Sequence, residues 1–458
     1  MSGDTDGEDG LFTKDNLPTL VAFFLFVFSS GAFMSLITPF LPLVLTKCGA
    51  DSVLIGLVFA AYPFANICAV PLSTKLCSVL GRSKAFVFGA ALEALFGILF
   101  GYAHLFAGSS LKYFYLLIRF IQGECEGTPA RLALRFSLTR LHLVHAGFGS
   151  SIAYTALIGW VSTRFRERLA SVLGFQEAIG GVGLMLGPSL GGLLYGLAGI
   201  SLPLVIFSVL VLVSIPPLFL SMGADEAPEA SEPPEKVEPD AESIAEDLTV
   251  SDLVNVSTVN ATVVTLIAAI GFGFINPVAA IHFRDVLSSE IKPGEIGLLL
   301  AIPALLYAVF SPISGILSES WGYKKTMYSG LVVVLAGYVL FGPLHIFRID
   351  KGTWGMWVDQ CFALVFLGIG AAFAFVPALP DMQRSVHHLG PEAINAIAGY
   401  FNGMYCLGEA LGPLLAGLKD VLPFNYVLCV LYGIHGLYLL VGLYWYLTTK
   451  LCQVAIRR

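Results

Sequence analysis

This sequence has little charge. Only 12% of its 458 residues are Asp, Glu, Lys or Arg, against 56% hydrophobic, and a mean hydropathy of +0.81 is too high for a soluble chain of this length. The lipid bilayer is therefore the expected partner, and no nucleic-acid partner is expected. Paired cysteine spacing is also missing. The eight cysteines (Cys48, Cys68, Cys77, Cys125, Cys361, Cys406, Cys429 and Cys452) follow no regular interval and mostly lie in apolar stretches, where a thiol behaves as a small hydrophobe. That excludes a disulfide frame and leaves no metal site to expect. No grouping of nucleophile, base and acid stands out, which argues against an enzyme. Residues 1–16 lack the basic start of a cleaved signal peptide, so the first apolar segment is expected to direct insertion itself. The net charge of −7 is set largely by one stretch, since 11 acidic residues fall between Asp225 and Asp252. It describes a linker and says nothing about a ligand.

What the chain does have is apolar segments of spanning length. A hydrocarbon core of roughly 30 Å needs about 20 helical residues, and twelve segments qualify. In the first half they are 19–45, 53–74, 84–105, 111–161 (interrupted), 169–196 and 200–221. In the second half they are 255–283, 295–317, 325–346, 355–379, 393–418 and 424–448. The expected organisation is a tail at 1–18, a six-helix bundle at 19–222, an acidic tether at 223–252, a second bundle at 253–449 and a tail at 450–458. The tether is rich in Pro, Glu and Ala with few large apolar residues, a composition that stays solvated. Lys and Arg resist translocation. With the N-terminus inside, 14 of them fall on the cytosolic side and 7 outside, which predicts that both termini and the tether are cytosolic. Asn255-Val-Ser257 and Asn260-Ala-Thr262 match glycosylation acceptors but fall at the cytosolic start of the seventh segment, so they read as chance matches.

One pattern occurs twice. Gly183-Leu-Met-Leu-Gly187-Pro188-Ser-Leu-Gly191-Gly192 returns 225 residues later as Gly408-Glu-Ala-Leu-Gly412-Pro413-Leu-Leu-Ala416-Gly417. Glycines four apart let helices approach closely, and Pro bends a helix and frees backbone groups. A polytopic chain with the same helix pattern in each half is built from two copies of one unit, the plan of many secondary transporters.

Five charged residues fall inside expected spans: Glu93, Arg119, Glu177, Asp359 and Glu409. On insertion scales a charge such as Arg or Asp at a helix centre costs about 2.5–3.5 kcal/mol, so a partner or a wet cavity is required. Glu177, near mid-depth beside Gln176 and glycines, is the first candidate for proton or cation binding. Glu409, just before Gly412-Pro413, is a second candidate, with a helix–helix hydrogen bond as the alternative. Glu93 joins them, although interhelical packing suits its place on the third segment. Arg119 lies too deep to reach the surface and calls for an acidic partner, for which Glu177 is at suitable depth. Asp359 reads as interfacial.

These features resemble the major facilitator superfamily, and more narrowly its vesicular amine and polyamine transporter branch. Gly183 to Gly192 matches the superfamily's fifth-helix antiporter motif, with Gly408 to Gly417 as its counterpart. Gly315-Ile-Leu-Ser-Glu319-Ser-Trp-Gly322-Tyr-Lys324-Lys325 resembles its cytosolic loop motif, in which an acid and following bases latch the inner gate. The first-half equivalent, 74–84, keeps Gly81, Arg82 and Lys84 but has Ser78 where the family places Asp. The narrower likeness rests on Ser29-Ser30 through Pro39-Phe-Leu-Pro42, on Val172 to Glu177, on Gly271 to Asn276-Pro277, and on Val376-Pro377-Ala-Leu-Pro380. Asn276 stands where an Asp is usual, and the first helix has no carboxylate. The resemblance implies an all-α membrane protein with twelve transmembrane helices in two pseudo-symmetric six-helix bundles, the major facilitator fold. Its cavity would be lined by helices one, four, seven and ten. The implied activity is proton-coupled antiport of a small organic cation by alternating access, in a monomer, in a vesicle or other endomembrane, with a proton gradient and no cofactor. Tyr62, Trp160, Tyr307, Tyr400 and Tyr405 are aromatics that can face an ammonium, most of them simply packing. A uniporter or exporter of neutral or anionic metabolites, or a non-transporting sensor or scaffold, shares the same fold expectations.

One segment breaks the pattern. The superfamily's fourth-helix motif, Arg-x-x-Gln-Gly-x-Gly, begins here as Arg119-Phe-Ile-Gln122-Gly123, but residues 124–147 follow with Arg131, Arg135, Arg140 and two histidines. Removing them joins Gly123 to Phe148-Gly149 and restores the motif. Gly-Glu-Cys-Glu can be encoded from a donor-like GTGAGT, and His-Ala-Gly across an acceptor-like CAG. Residues 124–147 therefore read as a retained intron or gene-model error, the alternative being an insertion extruded to one side.

Overall fold

The computed structural model describes residues 16–105, 110–122, 149–165, 169–225, 253–342, 349–422 and 424–456. Residues 124–147 lie outside that set, as does the acidic tether from 226 to 252; its first three expected residues, 223–225, belong to a helix. Among the described residues there are helices and turns and no strand. In the first half the α-helices are α1 (Leu17–Ser35), α2 (Leu41–Lys47), α3 (Ser52–Leu80), α4 (Arg82–Tyr102), α5 (Leu111–Gln122), α6 (Gly149–Arg164), α7 (Leu169–Ala198) and α8 (Ser201–Asp225). In the second half they are α9 (Val256–Val286), α10 (Pro293–Trp321), α11 (Tyr323–Phe341), α12 (Trp354–Phe375), α13 (Ala378–Val386), α14 (Pro391–Gly417) and α15 (Phe424–Ile456). Eight helical stretches among the described residues are long and apolar enough to cross a bilayer, and shorter apolar ones lie at Ser52–Asn66, Ile152–Val161 and Tyr426–Gly442.

Two expected spans are broken by proline. The first ends as a helix at Ser35, passes through a turn, and restarts at Leu41. Pro39 has no N–H to give and disfavours helical backbone in Thr38. The tenth ends at Phe375 and resumes at Ala378 after Pro377. Both loop motifs turn on a glycine in the left-handed region: Gly81 (φ 80) starts α4 and Gly322 (φ 102) starts α11, a conformation that side chains rarely tolerate.

The chain forms two compact units. The first holds residues 1–40 and 61–249, the second residues 41–60 and 250–458. The division follows the tether except for 41–60, encoded in the first half but placed with the second unit, where Leu43 sits in a core with Phe274, Val278, Phe283 and Leu428. The repeated glycine pattern forms one close helix pair in each unit, α1 on α7 in the first and α9 on α14 in the second, and Gly330 and Gly370 bring α11 against α12 as closely.

Candidate transport site

In the first unit the buried charges Glu93 and Arg119 converge on the C-terminal part of α1. Because α1 stops at Ser35, its last carbonyls lack intrahelical donors, and the Thr38 N–H turns to Ser35 (3.0 Å) rather than to Met34. Arg119 supplies donors in their place. Its Nη1 reaches the Phe33 carbonyl at 3.4 Å and its Nη2 the Met34 carbonyl at 3.0 Å. The guanidinium lies 4.3 Å from the centroid of the Tyr62 ring, so this aromatic face, expected to be open to an ammonium, already holds the protein's own cation. One turn earlier on α1, the Ser30 hydroxyl donates to Glu93 Oε1 at 2.6 Å. Glu93 and Arg119 are 1% and 2% exposed.

The repeated glycine pattern is met by repeated geometry. A β-carbon on Gly187 would lie 2.8 Å from the Ala32 carbonyl, and one on Gly183 would collide with that of Phe28. In the second unit a β-carbon on Gly408 would lie 2.8 Å from the Leu266 carbonyl, and one on Gly412 would collide with that of Ile270. Leu266 and Ile270 stand 238 positions after Phe28 and Ala32 in the same order, so the two helix pairs share one register. The prolines fit the same frame. Pro188 leaves the Leu184 carbonyl without its helical donor, and the Ser35 hydroxyl takes that place. At the corresponding positions of the second unit, the Glu409 carbonyl, freed by Pro413, faces Gly273, where a β-carbon would lie 2.7 Å away. Gly191 abuts Leu36, and Gly417 meets Ser52 and Val53; Gly192 is buried.

Glu409 is buried (2% exposed) on α14 beside Gly273, and Asn276, partly exposed, lies one turn further along α9. The candidates thus divide, with Glu93 and Arg119 in the first unit and Glu409 and Asn276 in the second. Glu177 lies on α7, but its side chain is outside the described residues. The same holds for the side chain of Gln122, at the end of α5, and for the whole of Gly123. Gln176, next to Glu177, is buried. Asp359 is half-buried near the start of α12, and its carboxylate accepts from the neighbouring Gln360 amide at 3.3 Å.

The loop motif keeps its turn at Gly322. Glu319 is exposed at the end of α10 and Lys325 is exposed in the first turn of α11, while Lys324 and Arg384 act electrostatically on Asp381 of α13. Gly315 has open space around it. Both glycosylation matches are occupied structurally. Asn255 caps α9 by accepting from the Thr258 N–H (3.0 Å) and donates to Ser385 (3.0 Å). Asn260 is buried and accepts from the hydroxyls of Tyr438 (2.7 Å) and Tyr328.

Sequence reasoning tracked charges and so passed over neutral polar groups. His282 on α9 is buried, with Nε2 3.2 Å from Gln360 Oε1 and its ring stacked 4.4 Å from Phe341. At the end of the second unit where α9 stops, Lys351 pairs with Asp285 at 2.7 Å. Asp420 accepts from the Ser52 N–H (2.6 Å) and hydroxyl (2.9 Å). Burial pulls the Lys419 ammonium below its ordinary value, with Asp420 and Asp285 pulling the other way. Screening neutral polar residues within apolar spans is the signal that finds His282 and Gln360.

Comparisons with known proteins agree with this architecture. The family model for the Major Facilitator Superfamily matches residues 143–413. The MFS-type transporter SLC18B1 of Mus musculus is 26% identical over 431 residues, covering 91% of this chain and 85% of the mouse protein. The class B tetracycline resistance protein of Escherichia coli is 26% identical over 196 residues, 43% of this chain and 45% of that one. The crystal structure of the nucleoside transporter NupG superposes with a TM-score of 0.59 at 13% identity, covering 95% of this chain and 99% of the other, a likeness of fold.

Proposed function

The chain belongs to the Major Facilitator Superfamily and is a secondary transporter rather than an enzyme, and from that footing we propose that it exchanges protons for an organic cation, an amine or polyamine, by alternating access. The observation that carries this reading is the enclosure of carboxylates within spanning helices, Glu93 at 1% and Glu409 at 2% exposure. An acid in such a place is tolerable only with a hydrogen-bond partner, a proton or a cation beside it. Glu93 has Ser30 and is assigned to holding α4 against α1. Glu177, on the likeness of its surroundings to the amine branch, is assigned to exchanging proton for cation, and Glu409 and Asn276 are the polar candidates of the second unit. Arg119 fixes the broken end of α1. The glycine–proline pairs give two tightly apposed helix pairs that can turn as rigid pieces.

Exchange of one proton for one monovalent cation moves no net charge, and each unit of pH difference supplies about 1.4 kcal/mol, enough for about tenfold accumulation. The reading includes cytosolic termini, an endomembrane location and a monomer. It is tested with purified protein in liposomes, measuring uptake of a panel of labelled mono-, di- and polyamines with and without an imposed pH difference. Uptake that follows the gradient and collapses with an ionophore supports antiport. Uptake indifferent to the gradient and to Glu177→Gln points instead to a uniporter or exporter of a neutral or anionic metabolite. No flux for any cargo points to a sensor or scaffold.

A further inference from the structure

The contact between Asp420 and Ser52 has no counterpart in helix building. The start of α3 is already capped locally, since the Asp51 carboxylate accepts from the Leu54 N–H at 2.9 Å, the ordinary N-cap arrangement. Asp420, 368 positions away, adds a second acid to the same helix end by accepting both the backbone N–H and the hydroxyl of Ser52, at 2.6 and 2.9 Å. Below it the backbones are in close contact. A β-carbon on Gly56 would collide with the Pro413 carbonyl, and one on Gly417 would lie 3.1 Å from the Ser52 carbonyl. The grip falls on residues 41–60, the one stretch that belongs to the second unit while the helix it opens runs on into the first. Ser52 is buried, whereas Asp420 is exposed to solvent, so water can replace the contact when it opens.

We propose that Asp420 is a releasable clasp on the N-terminal end of α3, and that its release from Ser52 is a required step in each transport cycle. The proposal rests on the transporter reading for its role in the cycle, though the clasp itself is readable without cargo. A charged acceptor facing a helix N-terminus makes strong, directional bonds. It holds one arrangement firmly without the irreversibility of apolar burial.

The test uses the full chain in lipid, with Cys48, exposed four residues ahead of Ser52, replaced by Ser throughout. In the double variant S52C/D420C, oxidation is expected to slow exchange at least tenfold and reductant to restore it, while each single cysteine variant is insensitive to both. Cross-linked protein that exchanges at the rate of the single variants overturns the proposal. The second arm measures amide hydrogen exchange at residues 52–54. Asp420→Ala is expected to speed exchange of the Ser52 amide about tenfold, and unchanged exchange overturns the clasp even if no cargo is ever found. If the wild type moves no amine while Asp420→Ala still speeds the amide, the transport reading fails and the clasp stands.

Discussion

At the scale of single residues, the two buried charges described in the first unit, Glu93 and Arg119, are each held by named partners, as anchors are. Arg119 answers two carbonyls that the break at Ser35 leaves unpaired, and a buried carbonyl stripped of its donor costs about 1–3 kcal/mol. Arg119→Ala is therefore expected to lower the melting temperature of the detergent-purified protein by several degrees, and Arg119→Lys by less, because an ammonium can still reach one carbonyl. Ser30→Ala removes the hydroxyl 2.6 Å from Glu93 and is expected to cost a similar 1–3 kcal/mol. Glu93→Gln keeps the shape and an acceptor oxygen, and as an anchor it should leave uptake dependent on the pH gradient. Glu177→Gln should abolish that dependence. If Glu93→Gln also uncouples uptake from the gradient, the division between anchor and carrier is wrong.

At the scale of elements, the two close helix pairs make a prediction that separates crowding from propensity. Gly187→Ala and Gly412→Ala place a methyl group against the backbone of the facing helix, where neither helix can yield without parting from the other. Both are expected to destabilise and to lower transport severalfold. Gly181 and Gly403, in the same two helices, have nothing within 4 Å of the added carbon, so Gly181→Ala and Gly403→Ala should be neutral or stabilise by up to about 1 kcal/mol through helix propensity. Thermal melts of the four variants decide this directly. The same residues mark how far sequence could be read. The glycine spacing and prolines were visible as a repeat, because small residues four apart define a helix face whatever that face meets. The partner was not visible, since nothing in Gly183 to Gly192 names Phe28 or Ala32 as neighbours. Arg119 was legible as a buried charge needing a partner, yet the part played by α1 depends on where Pro39 breaks that helix. The clasp at Asp420 was illegible for the same reason. An exposed acid in a short loop looks like ordinary surface until the fold brings Ser52 to it.

At the scale of the whole molecule, the twelve-helix plan followed from segment lengths alone, and the fourth segment is the place where length fails. Its 51 residues (111–161) are far more than the about 20 that one crossing needs, and the described helices α5 (12 residues) and α6 (16 residues) flank the part outside the described residues. Together their 28 residues match the 30 of α7 and the 31 of α9. In the sequence, joining Gly123 to Phe148 restores the motif from Arg119 onward and takes three arginines and two histidines out of an otherwise apolar segment. The chain lacking 124–147 is expected to express at higher levels, to melt at a higher temperature and to support gradient-driven uptake at least tenfold faster than the long form. Long-read transcript sequencing should find the shorter message dominant. A long form that transports normally, with the deletion inactive, would establish the segment as a working insertion and require the fourth helix to be completed some other way.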